Sequence, residues 1–97
     1  ISKVDIAPMS DLNQRIVGTG DFNNDGKSDI LWRNAATGEN SVWLMNGINR
    51  TLTANLDKVA DLNWHIMGAA DFNNDGKSDI IWRNFADGQN LVWLMDN

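Results

Sequence analysis

The decapeptide DFNNDGKSDI decides the fold of this chain because it occurs twice, at residues 21–30 and, unchanged, at residues 71–80. Outward from these copies, residues 11–47 match residues 61–97 at 25 of 37 positions, with a constant offset of 50. Self-similarity at a fixed period is the signature of a repeat architecture. The 97 residues therefore divide into two repeats, 1–50 and 51–97.

Each repeat has the pattern of four short β-strands and shows no helical periodicity. In the first repeat, residues 16–18, 30–32 and 42–45 are apolar stretches separated by polar, turn-rich segments. Asn46-Gly47 is a hairpin dipeptide, and the residues that follow it alternate as a half-exposed strand should. The less similar segments 1–10 and 51–60 occupy the same phase of the repeat, and we predict that both are exposed outer strands.

The inner strands favour an all-β propeller. Residues 30–32 and 42–45 are apolar on both strand faces, so a sheet built from them must be covered on both sides. Radial stacking of four-stranded blades provides this cover. Known closed propellers have at least about four blades, and this chain supplies two. We therefore expect the ring to be completed by oligomerisation or by a longer parent chain.

The phase of the repeat predicts how copies would join. The order along the chain is outer strand, three inner strands, outer strand, three inner strands. The N-terminal strand of one copy would complete the last blade of the next in a head-to-tail contact, which closes a ring if the rotation fits. Three copies would give six blades and four copies would give eight.

The repeated polar loop, residues 21–29 and 71–79, has the ligand spacing of a calcium loop. Oxygen-bearing side chains fall at loop positions one, three, five and nine, Gly lies at position six, and the carbonyl at position seven adds an oxygen. The predicted ligands are Asp21, Asn23, Asp25, Lys27 and Asp29, and in the second loop Asp71, Asn73, Asp75, Lys77 and Asp79, with each Lys contributing only its carbonyl.

An all-oxygen ligand set favours a hard cation, and a flexible loop suits Ca²⁺ better than Mg²⁺. We therefore expect two Ca²⁺ per chain. Position twelve is Trp32 or Trp82 rather than a bidentate Glu, so the loop is not that of a helical EF-hand. The alternative is a metal-free Asx-type turn, in which three carboxylates within nine residues would repel one another.

Residues 18–33, GTGDFNNDGKSDILWR, resemble the FG-GAP/VCBS-type repeat of integrin-like β-propellers and secreted bacterial proteins. The resemblance covers essentially the whole chain, twice. It implies a propeller blade with Ca²⁺ bound in the loop between its first and second strands, in an extracellular setting. Ala69 and Ala70 depart from the Thr19 and Gly20 of the first copy.

Four of the five tryptophans recur at equivalent positions, which favours packing between blades. Trp64 is different because its counterpart is Gln14, and with His65 it is a candidate surface contact for a ligand. Packing is the favoured role for Trp64 and a surface position is favoured for His65. Arg33 and Arg83 follow the inner tryptophans. A structural hydrogen bond or salt bridge is the favoured role for both, and ligand binding is the alternative.

Composition excludes several functions. Each loop holds three Asp and one Lys, so the two loops carry −4 of the net charge of −5, and no basic patch favours nucleic acid. The apolar runs are too short for membrane insertion, and there is no cysteine. Since no catalytic constellation is evident, we predict a non-enzymatic, lectin-like or adhesion-like module that binds carbohydrate or a protein surface. The alternative is a structural scaffold repeat, either a natural fragment or an engineered two-blade unit.

Overall fold

The structure is a computed structural model that describes residues 1–95. Within these residues the chain is all-β, with seven strands and no helix. No helix long and apolar enough to cross a membrane is present in the described part of the chain. The strands are β1 (Gln14–Gly20), β2 (Asp29–Asn34), β3 (Asn40–Asn46), β4 (Asn49–Leu56), β5 (Trp64–Ala70), β6 (Asp79–Asn84) and β7 (Asn90–Trp93).

The strands form two antiparallel sheets that follow the two repeats. The first sheet has the order β1-β2-β3-β4 and the second has the order β5-β6-β7. The predicted hairpin at Asn46-Gly47 is present, because β3 and β4 pair from Asn46 to Asn49 and Gly47 adopts a φ of 65°. Both first strands carry a bulge just before Gly18 or Gly68, so the two sheets share even their irregularities.

Side chains alternate between two faces of each sheet. In the first sheet, Trp32 and Trp43 mark the face we call the front, and Leu31, Arg33 and Val42 mark the back. The back of the first sheet packs against the front of the second. One buried cluster spans this seam and consists of Phe22, Leu31, Val42, Ile66, Ile80 and Trp82.

A second cluster covers the front of the first sheet. It consists of Trp32, Trp43 and Met45, with Ile6 and Met9 packed against it. The N-terminal segment thus contributes apolar side chains to the first repeat. Leu56 and Val59, which lie 50 residues further along, contact the front of the second sheet in the same manner.

The outer strands differ from the sequence prediction. Residues 1–10 form no strand, and β4 spans Asn49–Leu56 rather than 51–60. A strand needs a neighbour that accepts and donates backbone hydrogen bonds, and residues 1–10 instead pack through Ile6 and Met9. The second sheet consequently has three strands in the described residues, not the four expected of a blade.

Candidate metal centre

The two predicted calcium loops lie between β1 and β2 and between β5 and β6. Each contains two residues in the left-handed region, Asn24 (φ 58°) and Gly26 (φ 80°) in the first and Asn74 (φ 59°) and Gly76 (φ 86°) in the second. Gly adopts this region without steric cost, and Asn tolerates it better than most residues. The sequence Asn-Asp-Gly therefore coils the loop tightly enough to bring its side chains together.

Asp21 organises the first loop by accepting backbone hydrogen bonds. Its carboxylate accepts from the amide of Gly26 at 2.8 Å and from that of Asp25 at 3.2 Å. Burial opposes the charged form of Asp21, but the backbone donors outweigh it together and lower its pKa. Asp71 repeats the arrangement with Gly76 at 2.8 Å, and this bond is the main cause of its lowered pKa.

Asp29 fastens the end of the loop to the neighbouring strand. It is completely buried, and its two oxygens accept from the amides of Phe22 at 3.1 Å and Met45 at 2.9 Å. Asp79 does the same with Phe72 and Met95, both at 2.8 Å. The position-nine carboxylate therefore has a structural role beyond that of the predicted ligand.

Oxygen atoms converge in both loops. One carboxylate oxygen from each of Asp21, Asp25 and Asp29 lies within 4.8 Å of the others, a grouping that could hold a metal ion. The side-chain amide of Asn23 lies 3.1 Å from Oδ1 of Asp21 and 3.0 Å from Oδ1 of Asp25, with its NH₂ group placed to donate to both carboxylates.

The second loop has the same crowding. The side-chain amide of Asn73 lies 3.1 Å from Oδ1 of both Asp71 and Asp75 and 3.2 Å from Oδ2 of Asp79, with its NH₂ group placed to donate to these carboxylates. The amide therefore holds the carboxylates of the loop together. The convergent carboxylates of the first loop fit a hard, oxygen-liganded cation, and the second loop repeats the same residues.

Lys27 and Lys77 are positioned by their backbones. Their amides donate to Oδ1 of Asp25 at 2.9 Å and of Asp75 at 3.0 Å. These bonds close the turn on the loop side chains. The predicted contribution of their carbonyl oxygens to a metal remains a prediction.

The two loops also contact each other, which the sequence did not indicate. The backbone amide of Asp21 donates to the Ser78 hydroxyl at 3.0 Å, and the amide of Ser78 donates to the carbonyl of Asp21 at 2.7 Å. A Cβ atom on Gly76 would lie 2.9 Å from Cγ of Asn24, so the Asn24 side chain packs directly on the Gly76 backbone. Each candidate metal loop is therefore also part of the seam between repeats.

The candidate ligand residues Trp64 and His65 have separate environments. Trp64 is half-buried and packs against the main core cluster, as a structural tryptophan does. His65 is exposed and stacks on Phe85, with ring centroids 4.1 Å apart. A cleft of about 130 Å³ lies between the repeats beside His65. It is lined by Arg15, Val17, Arg33, Ala35, Leu62, His65 and Ile66.

Arg33 and Arg83 differ although they are equivalent in sequence. Arg33 is buried; its Nη1 donates to Gly38 O and Asn40 Oδ1 at 3.0 Å, and its Nη2 donates to Val59 O at 3.1 Å. Burial lowers its pKa, which nearby Asp61 partly offsets. Arg83 is exposed and donates only through Nη1 in the described residues. Arg33 therefore links the two repeats through hydrogen bonds across the seam. In Arg83 the equivalent Nη2 donates to none of the described residues.

Two antiparallel sheets, each with the same oxygen-rich loop between its first and second strands, define a repeat protein. The convergent carboxylates of the first loop are its candidate cation site. A family model for FG-GAP-like repeats matches residues 21–82. The chain belongs to this FG-GAP-like repeat family, which confirms the resemblance seen in residues 18–33. No curated protein and no solved structure matches the chain significantly.

Proposed function

We propose that the chain is a non-enzymatic, calcium-binding β-propeller module of an extracellular protein, with one Ca²⁺ in each loop. The observation that carries the proposal is the convergence of the Asp21, Asp25 and Asp29 carboxylates in the first loop. The second loop repeats the same residues and the same backbone hydrogen bonds to its first aspartate. Family membership supports the module and its extracellular setting. A role as a repeat unit also agrees with the two equivalent sheets.

Each loop would bind its ion through four side chains and one backbone carbonyl. Asp21, Asn23, Asp25 and Asp29 would supply side-chain oxygens, and Lys27 its carbonyl, with the equivalent five residues in the second loop. A bound Ca²⁺ would supply positive charge that relieves repulsion among the carboxylates. Because the coiled loop exists only in the folded chain, the ion would stabilise folding by mass action, by about 2.7 kcal/mol at a concentration 100 times its Kd.

Calorimetric titration of the metal-free chain with CaCl₂ tests this proposal. We expect two Ca²⁺ per chain, and one in either Asp25→Asn or Asp75→Asn, because each variant loses one charged ligand. The amide keeps an oxygen that can still accept from Lys27 or Lys77. The melting temperature should rise with Ca²⁺ and fall on chelation, less so in each variant.

Asp5→Asn is the matched control, because Asp5 is exposed and lies outside both loops. It should bind two Ca²⁺ like the wild type. A wild-type chain that gives no binding heat and melts identically in Ca²⁺ and in EDTA would rule out the calcium proposal. Loss of both ions in a single-loop variant would contradict two separate sites.

The cleft beside His65 favours a recognition role for the module. It combines cationic Arg15, the stacked His65–Phe85 pair and apolar Leu62, a mixture of polar and aromatic groups that suits a sugar or a protein surface. A glycan array probed with wild type and His65→Ala tests this role. Binding that His65→Ala abolishes supports recognition, and no binding at all favours the scaffold alternative.

A further inference from the structure

The seam inside the chain shows how the back of one repeat packs against the front of the next. Phe22, Leu31 and Val42 on the back of the first sheet pack against Ile80 and Trp82 on the front of the second. Polar contacts frame this apolar centre. Arg33 donates to Val59 O and Asp61 O, its guanidinium lies 5.0 Å above the Trp82 ring, and the amide of Val59 donates to Gly38 O.

The back of the second sheet carries nearly the same residues as the back of the first, but none of the described residues covers it. Phe22 is 7% exposed and Phe72 is 51% exposed; Val42 is 2% exposed and Val92 is 39% exposed. Met67 and Leu94 on this surface are exposed as well. Contiguous exposed apolar surface of this kind marks an interaction site. We call this surface, formed by Met67, Phe72, Arg83, Val92 and Leu94, the open back face.

Polar groups at the open back face lack the partners that their equivalents have. Nη2 of Arg83 has no acceptor among the described residues, whereas Nη2 of Arg33 has two. A Cβ on Gly38 would collide with the carbonyl of Val59. One on Gly88 would meet only Arg83, at 3.6 Å. The space that the second repeat occupies at Gly38 is therefore open at Gly88.

The front of the first sheet offers the matching surface. Trp32 is already buried here at 6% exposed, but beside it Ile16 is 55% exposed although its equivalent, Ile66, is 7% exposed in the seam. A groove of about 430 Å³ lies here. It is lined by Met9, Asp11, Leu12, Gln14, Arg15, Ile16 and Trp32. Met9 and Asp11 stand 50 residues before Val59 and Asp61, whose carbonyls Arg33 uses.

One edge of β7 pairs with no strand among the described residues. A groove of about 530 Å³ lies beside this strand, lined by Leu56, Asp57, Val92, Trp93, Leu94 and Met95. In the first sheet the corresponding edge of β3 is paired with β4, with Val42 opposite Ala54. Val92 is the repeat equivalent of Val42, and Val4 is the repeat equivalent of Ala54. The same register would therefore place Val4 opposite Val92. Residues 1–6, which form no strand in the single chain, have the length and phase to fill this edge.

We propose that the open back face binds the front of the first sheet of a second copy of this chain. The second copy places Ile16 against Phe72 and Val92, as Ile66 lies in one cluster with Phe22 and Val42 inside the chain, and Arg83 donates to its Met9 and Asp11 carbonyls. Its residues 1–6 pair with β7 as a fourth strand. The occupant is a second copy because the chain already makes this interface internally with the same residue types. Because it rests on packing, the inference stands apart from calcium binding.

Two positions show where the contact between copies departs from the internal seam. Gly20 touches Ser78, and a Cβ there would lie 2.5 Å from its Oγ and 2.8 Å from its Cβ. The equivalent pair between copies is Ala70 with Ser28. Because Ala70 has the Cβ atom that Gly20 lacks, the two copies must lie several tenths of an ångström further apart at this point. Gln14 also stands where the seam has the packed Trp64. The contact between copies is therefore looser than the seam within one.

Sedimentation of the 97-residue chain in excess calcium and in EGTA tests the proposal. We expect species at three or four times 10.8 kDa, and a monomer for Val92→Asp, because a buried unpaired carboxylate is strongly unfavourable. Ile48→Asp is the matched control, since Ile48 is exposed in the β3–β4 turn, away from the open back face. It should assemble like the wild type.

Ala70→Gly sharpens the test because it removes the methyl group that obstructs Ser28. We expect it to tighten association at least several-fold, whereas Ala69→Gly, its neighbour in β5, should not. Circular dichroism with thermal melting confirms that each variant is folded. Hydrogen exchange should show β7 amides protected in the assembly and not in Val92→Asp.

Three results would overturn the proposal. They are a folded wild-type monomer at 100 μM or above, a folded Val92→Asp that assembles like the wild type, and Ala70→Gly that weakens association while remaining folded. Assembly in both calcium and EGTA supports the docking inference even if the chain binds no Ca²⁺. Calcium binding by a strict monomer would reject the docking and leave the calcium proposal intact.

Discussion

The two repeats contain the same nine-residue loop, but its surroundings differ between them. The hydrogen bonds within each loop match closely: Asp21 accepts from Gly26 at 2.8 Å, and Asp71 accepts from Gly76 at 2.8 Å. The residue at loop position two differs in burial, since Phe22 lies in the seam and Phe72 is 51% exposed. Local geometry therefore follows the local sequence, whereas burial depends on which neighbour covers the repeat.

Truncating the two phenylalanines tests the difference in burial between the repeats most strongly. Phe22→Ala should lower the free energy of unfolding by about 3–5 kcal/mol, because it leaves a cavity in the seam. Phe72→Ala should change it by roughly 0.5 kcal/mol or less in the dilute monomer, where the side chain is exposed. Urea unfolding below the concentration of assembly measures both. Equal losses would show that the second repeat is covered within a single chain.

The buried aspartates come next. Asp29→Ala, measured in EDTA, should cost about 2–4 kcal/mol because the amides of Phe22 and Met45 lose their acceptor while buried. Asp79→Ala should cost less, since the equivalent amides are only partly buried. Urea unfolding with metal removed separates this structural role from calcium binding. An Asp79→Ala loss as large as that of Asp29→Ala would contradict the asymmetry.

The smallest effect should come from the serine at the loop contact. Ser78→Ala removes the acceptor of the Asp21 amide and should cost about 0.5–1.5 kcal/mol. Ser28→Ala is its matched control and should leave the unfolding of the monomer unchanged, because its equivalent contact lies outside the chain. The difference in thermal stability between the two variants measures what the loop contact adds to the seam. A loss in Ser28→Ala would mean that this serine has a partner inside the chain.

Much of this architecture was predictable because its causes are local. The short apolar stretches located the inner strands, the Asn46-Gly47 dipeptide located the hairpin, and Gly at position six located the tight turn of each loop. The carboxylate of Asp29 lies close to those of Asp21 and Asp25, as the ligand spacing suggested, and its role as a ligand stays a prediction. The fastening of β3 and β7 by Asp29 and Asp79 was not foreseen, because a bond to Met45 or Met95 depends on strand pairing.

What the sequence did not indicate depends on contacts between distant residues. Residues 1–10 have the phase of an outer strand, yet they form none, because a strand needs a partner edge that the single chain does not present to them. For Trp64 the sequence left both packing and a surface contact open, and the structure shows it half-buried against the main core cluster. The hydrogen bond between Asp21 and Ser78 also joins residues from different repeats, so no pattern within one repeat contains it.

The methyl group that distinguishes Ala70 from Gly20 gives the molecule two kinds of joint. The joint within the chain closes fully on Ser78 because Gly20 has no side chain. In the proposed contact between copies, the methyl group of Ala70 would hold Ser28 slightly further away. The two repeats of one chain are also joined by the backbone, so on dilution a ring of these chains would separate first at the boundaries between chains. One carbon atom thus adds to the difference between a covalently linked contact and a reversible one.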